Sequence, residues 1–257
     1  MRQFATFTTG DGPLVAVALH GGHDLRPELA ARSSLTDLDR LREEDPHTAE
    51  WTTCAPTRVV VNRSRFEVDC NRPRERAVYR VPEDAWDLPL WREPLTEAAV
   101  DESLAEYDAF YARMRELLSG IIAEHGAALV LDLHSYNHRR DGADAPPASQ
   151  TENPDINLGT GHLDRTRWGS VADTFVAGIT DAMPDVDVRE NVKFRGGHLA
   201  HWCSLTFGGA VCILAVEFKK TYMDEWSGAL DPTACERIGG ALERVVPQLE
   251  ARFLGTL

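Results

Sequence analysis

Three stretches of the chain are apolar with little or no alternation: Leu14 to Leu19, Ala127 to Leu133 and Ala210 to Val216. A short continuous apolar run buries both its faces, so each reads as an interior strand of a parallel sheet rather than the arm of a surface hairpin. Thr57 to Val61 and Phe66 to Cys70 read as further strands. Alternation over 63–71 would turn Phe66, Val68 and Cys70 to one side and Arg63, Arg65, Glu67, Asp69 and Asn71 to the other.

Elsewhere the period lengthens. Val100, Leu104, Tyr107, Tyr111, Met114, Leu118 and Ile121 step by three and four residues and make one helical face, leaving Glu102, Glu106, Arg113 and Glu116 on the wet side. Thr96 is its expected N-cap, and the acids that follow suit the positive end of the helix dipole. Further helices are expected from about Trp168 to Met183 and from Pro232 to about Arg252. Between Asn137 and Asp164 the Arg-Arg-Asp-Gly, Ala-Pro-Pro-Ala-Ser and Asn-Pro-Asp segments predict a long loop, which would overhang whatever follows the second apolar run, as lids do.

The alternation of strand and helix signals, without a repeat or linker, predicts one α/β domain over residues 1–257. A chain of 257 residues, 43% hydrophobic, can bury a sizeable core without disulfides. Its net charge of −14 argues against a nucleic-acid backbone or an anionic membrane surface as partner. Five cysteines without a Cys-x-x-Cys pair suggest neither a disulfide framework nor a thiolate zinc site. With no signal-like N-terminus and no run long enough to span a bilayer, a cytoplasmic location is expected.

The ends of the three apolar runs carry the candidate chemistry. The first ends in His20-Gly21-Gly22-His23, the second in His134-Ser135-Tyr136 and the third in Glu217. Strands that end on one edge of a parallel sheet converge in space, at the edge where α/β enzymes bind ligands. Catalytic zinc commonly takes three protein ligands and keeps a position for water; His20, His23 and His134 could supply them. An isolated histidine at such a place is more often a hydrogen-bonded structural residue, so the joint occurrence carries the reading. Burial would raise the pKa of Glu217 and suit it to accept a proton; the alternative is a salt bridge to Lys219 or Lys220. Arg65 or Arg72 could hold a substrate carboxylate in a bidentate fork.

Together these residues resemble a known family. Asp132-Leu133-His134-Ser135-Tyr136, Asp69-Cys70-Asn71-Arg72 and Glu217 resemble elements of the zinc carboxypeptidases. The set His20-Gly21-Gly22, Ser64 to Arg72, Asp132 to Ser135, Asn191 to Gly197, and Glu217 with Tyr222-Met223-Asp224-Glu225 is more similar still to the N-formylglutamate amidohydrolases. That resemblance implies a three-layer α/β/α fold with a mixed, mostly parallel sheet, one zinc ion, and cleavage of the amide of an N-formyl or N-acyl amino acid bearing a carboxylate. It implies His20 and His134 as metal ligands, Glu217 as general base, and Arg65, Asn71 and Arg72 on the substrate's carboxylate or carbonyl. For the remaining ligand, His23 is preferred over Asp45 of Glu44-Asp45-Pro46-His47. His198, Ala215 and Lys193 depart from the family pattern at positions expected near the pocket, so the substrate need not be N-formylglutamate. Two other readings share the fold: a carboxypeptidase-like hydrolase of short peptides, and a binding domain that takes no metal.

Overall fold

The computed structural model describes residues 3–257. Its strands and helices are, in chain order, β1 (Ala5–Thr8), β2 (Leu14–Ala18), α1 (Pro27–Arg32), α2 (Asp37–Glu43), α3 (Thr48–Trp51), β3 (Thr57–Val61), α4 (Glu97–His125), β4 (Ala128–Tyr136), β5 (Ile156–Gly159), α5 (Arg165–Ala182), β6 (Val188–Glu190), α6 (His198–Phe207), β7 (Val211–Lys219) and α7 (Pro232–Leu254). One seven-stranded sheet joins β1 to β6 in the order β1-β3-β2-β4-β7-β5-β6. At its centre β3, β2, β4 and β7 are parallel, while β1 runs antiparallel to β3 and β5 antiparallel to β7.

Side chains of the central strands point alternately to two apolar layers. Leu14, Leu129, Leu131, Leu214 and Val216 pack with Trp51, Trp168, Phe175, Leu242 and Phe253 of α3, α5 and α7. Val15, Val17, Val130 and Ile213 pack with Tyr107, Tyr111, Met114 and Leu118 of α4 and with Leu199 of α6. Covering both faces is what forces the interior strands to be apolar without alternation, and it makes the mixed α/β/α sandwich expected from the sequence. Thr96 caps α4 by accepting from the Ala99 N–H, and Gly126 closes it in the left-handed region, φ 84°.

Two expectations are corrected. Residues 63–71 do not form a strand: past a single bridge from Arg63 to Asp24 the chain turns repeatedly, because its polar side chains bind one another and the backbone rather than a neighbouring strand. The stretch read as a loop from Asn137 to Asp164 contains β5, which closes the sheet beside β7. Four residues with an asparagine among them give too little pattern to register as a strand.

Among the described residues no helix is long and apolar enough to cross a membrane.

Candidate active site

Parallel register sets the centre of the site. His134, near the end of β4, lies directly opposite Glu217 on β7, and Glu217 lies opposite Asn157 on β5. His20 follows β2, the other neighbour of β4. The rings of His20 and His134 are 5.0 Å apart and both are buried.

The two imidazoles converge on one oxygen. His20 Nδ1 is 3.2 Å and His134 Nδ1 3.0 Å from Asp45 Oδ2. On the far side of each ring stands another carboxylate: His20 Nε2 is 2.7 Å from Asp69 Oδ1, and His134 Nε2 is 2.9 Å from Asp132 Oδ1. A donor atom from each of His20, Asp45 and His134 lies within 4.8 Å of the others. Two histidines and a carboxylate, with a further acid behind each ring, are a donor set suited to a catalytic divalent ion.

His23, expected as the third ligand, is not part of this group, whose third donor is Asp45. Gly22 packs so closely on the backbone of Asn62 that a Cβ there would lie 2.2 Å from its carbonyl carbon, and beyond it the chain leaves the cleft. His23 Nδ1 is bound to Glu44 at 2.5 Å, its Nε2 lies 3.1 Å from Arg40, and its side chain is 39% exposed.

Electrostatics in the pocket is dominated by burial and by this crowd of acids. Burial opposes ionisation of Asp45, yet the hydrogen bonds from His134 and His20 hold its carboxyl below the usual carboxylate range. Burial works against protonated His134 as well, but Asp132 and Asp45 raise its pKa well above the ordinary value. Glu217 is pushed up to about 7, first by burial and then by Asp45 and Asp132, with His134 opposing. Neither lysine considered as its partner pairs with it: Lys219 binds Asp155 and Lys220 binds backbone carbonyls.

The turns of 63–72 are organised by Asp69. Its Oδ1 accepts from His20 and, at 2.7 Å, from the Asn71 backbone; its Oδ2 accepts from Arg65 at 2.7 Å and from the Tyr79 hydroxyl. Burial is overcome by Arg65 and His20, so Asp69 stays ionised far below its ordinary range. Arg65 also donates to the Glu43 carbonyl and lies over the Trp86 ring. Arg72 is held less tightly, 3.9 Å from Asp69. Asn71 reaches the opposite wall, where its Oδ1 accepts from the Leu199 N–H of α6. Gly197 makes that possible, since a Cβ there would sit 2.4 Å from the Asn71 amide.

Arg65, Asn71, Arg72, His20, His134, Asp45 and Glu217 line one cleft of about 290 Å³. Arg195 of the Asn191 to Gly197 motif and Lys220 line it too, as do Trp86 and Arg140, which the sequence did not single out. Arg140 arrives from the loop after β4, pairs with Glu43 at 3.0 Å and also lies over the Trp86 ring. Trp86 sits in the left-handed region, φ 54°, strain that non-glycine residues carry mainly at functional sites. Residues 194–197 are placed by Asn157, whose Oδ1 accepts from the N–H groups of Val192, Lys193 and Phe194. His198, Ala215 and Lys193 do not line the cleft; His198 is bound to the Tyr107 hydroxyl at 3.0 Å, and Lys193 donates to Asn153.

A sequence model of the N-formylglutamate amidohydrolases matches residues 12–223. The chain belongs to that family. Its members are hydrolases of amide bonds, and the chain is an amidohydrolase. An N-formylglutamate amidohydrolase from Ralstonia eutropha JMP134 superposes with a TM-score of 0.79 over 100% of both chains at 18% identity. A gene product of Agrobacterium tumefaciens gives 0.68 over 98% of this chain and 96% of that one, also at 18%. A putative carboxypeptidase A from Shewanella denitrificans OS-217 matches 93% of this chain and 57% of its own, with a TM-score of 0.41 and 12% identity. No curated protein matches.

Proposed function

We propose that residues 1–257 form one hydrolase domain that uses a single zinc ion to cleave the amide of an N-formyl or N-acyl amino acid, releasing a carboxylic acid and the free amino acid. The observation that carries this reading is the convergence of His20 Nδ1 and His134 Nδ1 on Asp45 Oδ2 beside Glu217. His20, Asp45 and His134 would hold the ion. Bound there, it would supply Lewis acidity, acidifying water and polarising the scissile carbonyl.

The chain's own groups supply the rest. Glu217 takes a proton from water as the water oxygen bonds to the acyl carbon and the carbonyl electron pair moves onto oxygen. A guanidinium from Arg65 or Arg72 stabilises the negative oxygen. When that electron pair returns, the C–N bond breaks and Glu217 gives its proton to the departing amine. Arg72 and Asn71, at the open side of the acid-rich centre, suit the substrate's carboxylate. At about 290 Å³ the cleft favours an acylated amino acid over a peptide.

A panel of N-formyl and N-acetyl amino acids, assayed with zinc and with chelator, tests this. Turnover of at least one acyl amino acid, abolished by chelator and restored by zinc, is expected; hydrolysis untouched by chelator would overturn the metal assignment.

A further inference from the structure

Asp45 is carried on an irregular turn, yet its carboxylate must sit between two histidines that belong to strand ends. Its own backbone makes one tie to them, Asp45 N–H to the His20 carbonyl at 2.9 Å. The rest of the turn is gripped from outside by side chains that follow β7. Lys220 is fully buried and its Nζ donates to the carbonyls of Arg42, at 2.5 Å, and Glu44, at 2.6 Å. The Tyr222 hydroxyl, also fully buried, donates to the Pro46 carbonyl at 2.8 Å. Both carbonyls that flank Asp45 are therefore fixed by side chains from one short segment, whose backbone is tied to the end of β4 through Lys220 N–H and the Tyr136 carbonyl at 3.0 Å.

A buried ammonium is costly to desolvate, and here its hydrogen bonds go to the carbonyls on either side of Glu43, in a turn whose Glu43, Glu44 and Asp45 are themselves buried. We propose that Lys220 and Tyr222 are positioning residues that clamp the 42–46 turn and so hold Asp45 in place as a metal ligand, tying it to the strand that presents Glu217. The proposal rests on the zinc site described above. A clamp of this kind acts on metal affinity: loss of groups that orient a ligand costs roughly 10–100-fold in binding.

Zinc dissociation constants measured by chelator competition on the full chain test it, in wild type, Lys220→Met, which keeps the stem and loses the donors, and Tyr222→Phe, which loses only a hydroxyl. Both variants should bind zinc roughly 10–100-fold more weakly, and Tyr222→Phe, which does not line the cleft, should recover wild-type kcat at saturating zinc. Wild-type affinity in folded variants overturns the clamp, as does a loss of kcat in Tyr222→Phe that zinc does not restore. Should Lys220→Met fail to fold, Tyr222→Phe decides alone. A wild-type chain that takes no zinc overturns the metal site itself, and the clamp with it.

Discussion

The two walls of the cleft are built by different means. On one, His134 and Glu217 stand at neighbouring ends of β4 and β7, where unbroken backbone ladders and apolar packing on both faces set their places. On the other, the turns at 42–46 and 63–72 bring in Asp45, Arg65, Asn71 and Arg72 through side-chain hydrogen bonds to Asp69, Lys220 and Tyr222. A strand end inherits its position from the fold, so truncating its side chain should remove chemistry and leave the site in place. A turn held by side chains is displaced when any holder is removed, so damage there should spread to groups that were not touched.

The largest expected effect belongs to the strand wall. Glu217→Gln should lower kcat by roughly 10²–10⁴-fold, the usual contribution of a positioned general base, with zinc content unchanged. Turnover near wild type in a metal-replete Glu217→Gln preparation would remove the carboxylate from the mechanism. On the turn wall, Asp45→Ala should weaken zinc binding by more than the roughly 10–100-fold typical of a group that merely orients a ligand. His23→Ala is the paired control: its ring is bound to Glu44 and half open to solvent, so metal content should not change. A reversal of these two results would return the third ligand to His23.

The same division decides what could be read from the sequence. His20, His134 and Glu217 were legible because each ends a short apolar run, and a run buried on both faces can only be an interior strand. Asp45 was only a rival ligand, since choosing it over His23 depends on Gly22 meeting Asn62 and on Lys220 reaching back to the turn, contacts between residues 40 and more than 170 positions apart. Arg65, Asn71 and Arg72 were found through a motif although their local structure was misread as a strand; the residue types announce the chemistry while Asp69 dictates the backbone. Trp86 and Arg140 had no signal, because an arginine or tryptophan in a polar stretch looks like any other surface residue. β5 escaped for want of length, and with it the role of Asn157 in placing residues 192–194.

A smaller effect should separate binding from chemistry within the turn wall. Arg72→Ala removes a weakly held guanidinium, and loss of a charge-assisted hydrogen bond of about 1.5–3 kcal/mol should raise KM roughly tenfold to a hundredfold. If Arg72 acts only on the carboxylate, kcat should stay within a few-fold, on the order of 1 kcal/mol or less. Loss confined to kcat would instead assign Arg72 to the carbonyl oxygen and leave the carboxylate to another cation of the cleft.

The smallest effect concerns stability, and it reports on the buried clamp directly. Burial lowers the Lys220 pKa from 10.5 to about 8, with Asp45, Glu43 and Glu225 only partly opposing. Between about 8 and 10.5 the unfolded chain therefore binds a proton that the folded one has released. Because stability rises with pH wherever the unfolded state holds more protons, the cost of the buried ammonium, fully present below about 8, should be relieved progressively across this window. Denaturant titrations from pH 7 to about 10, comparing wild type with Lys220→Met, isolate this group from other basic titrations. The difference in unfolding free energy should drift in favour of wild type as pH rises. A pH-independent difference would mean that Lys220 keeps its ordinary affinity for the proton, and the turn that carries Asp45 would then be gripped by a charge the fold accommodates without strain.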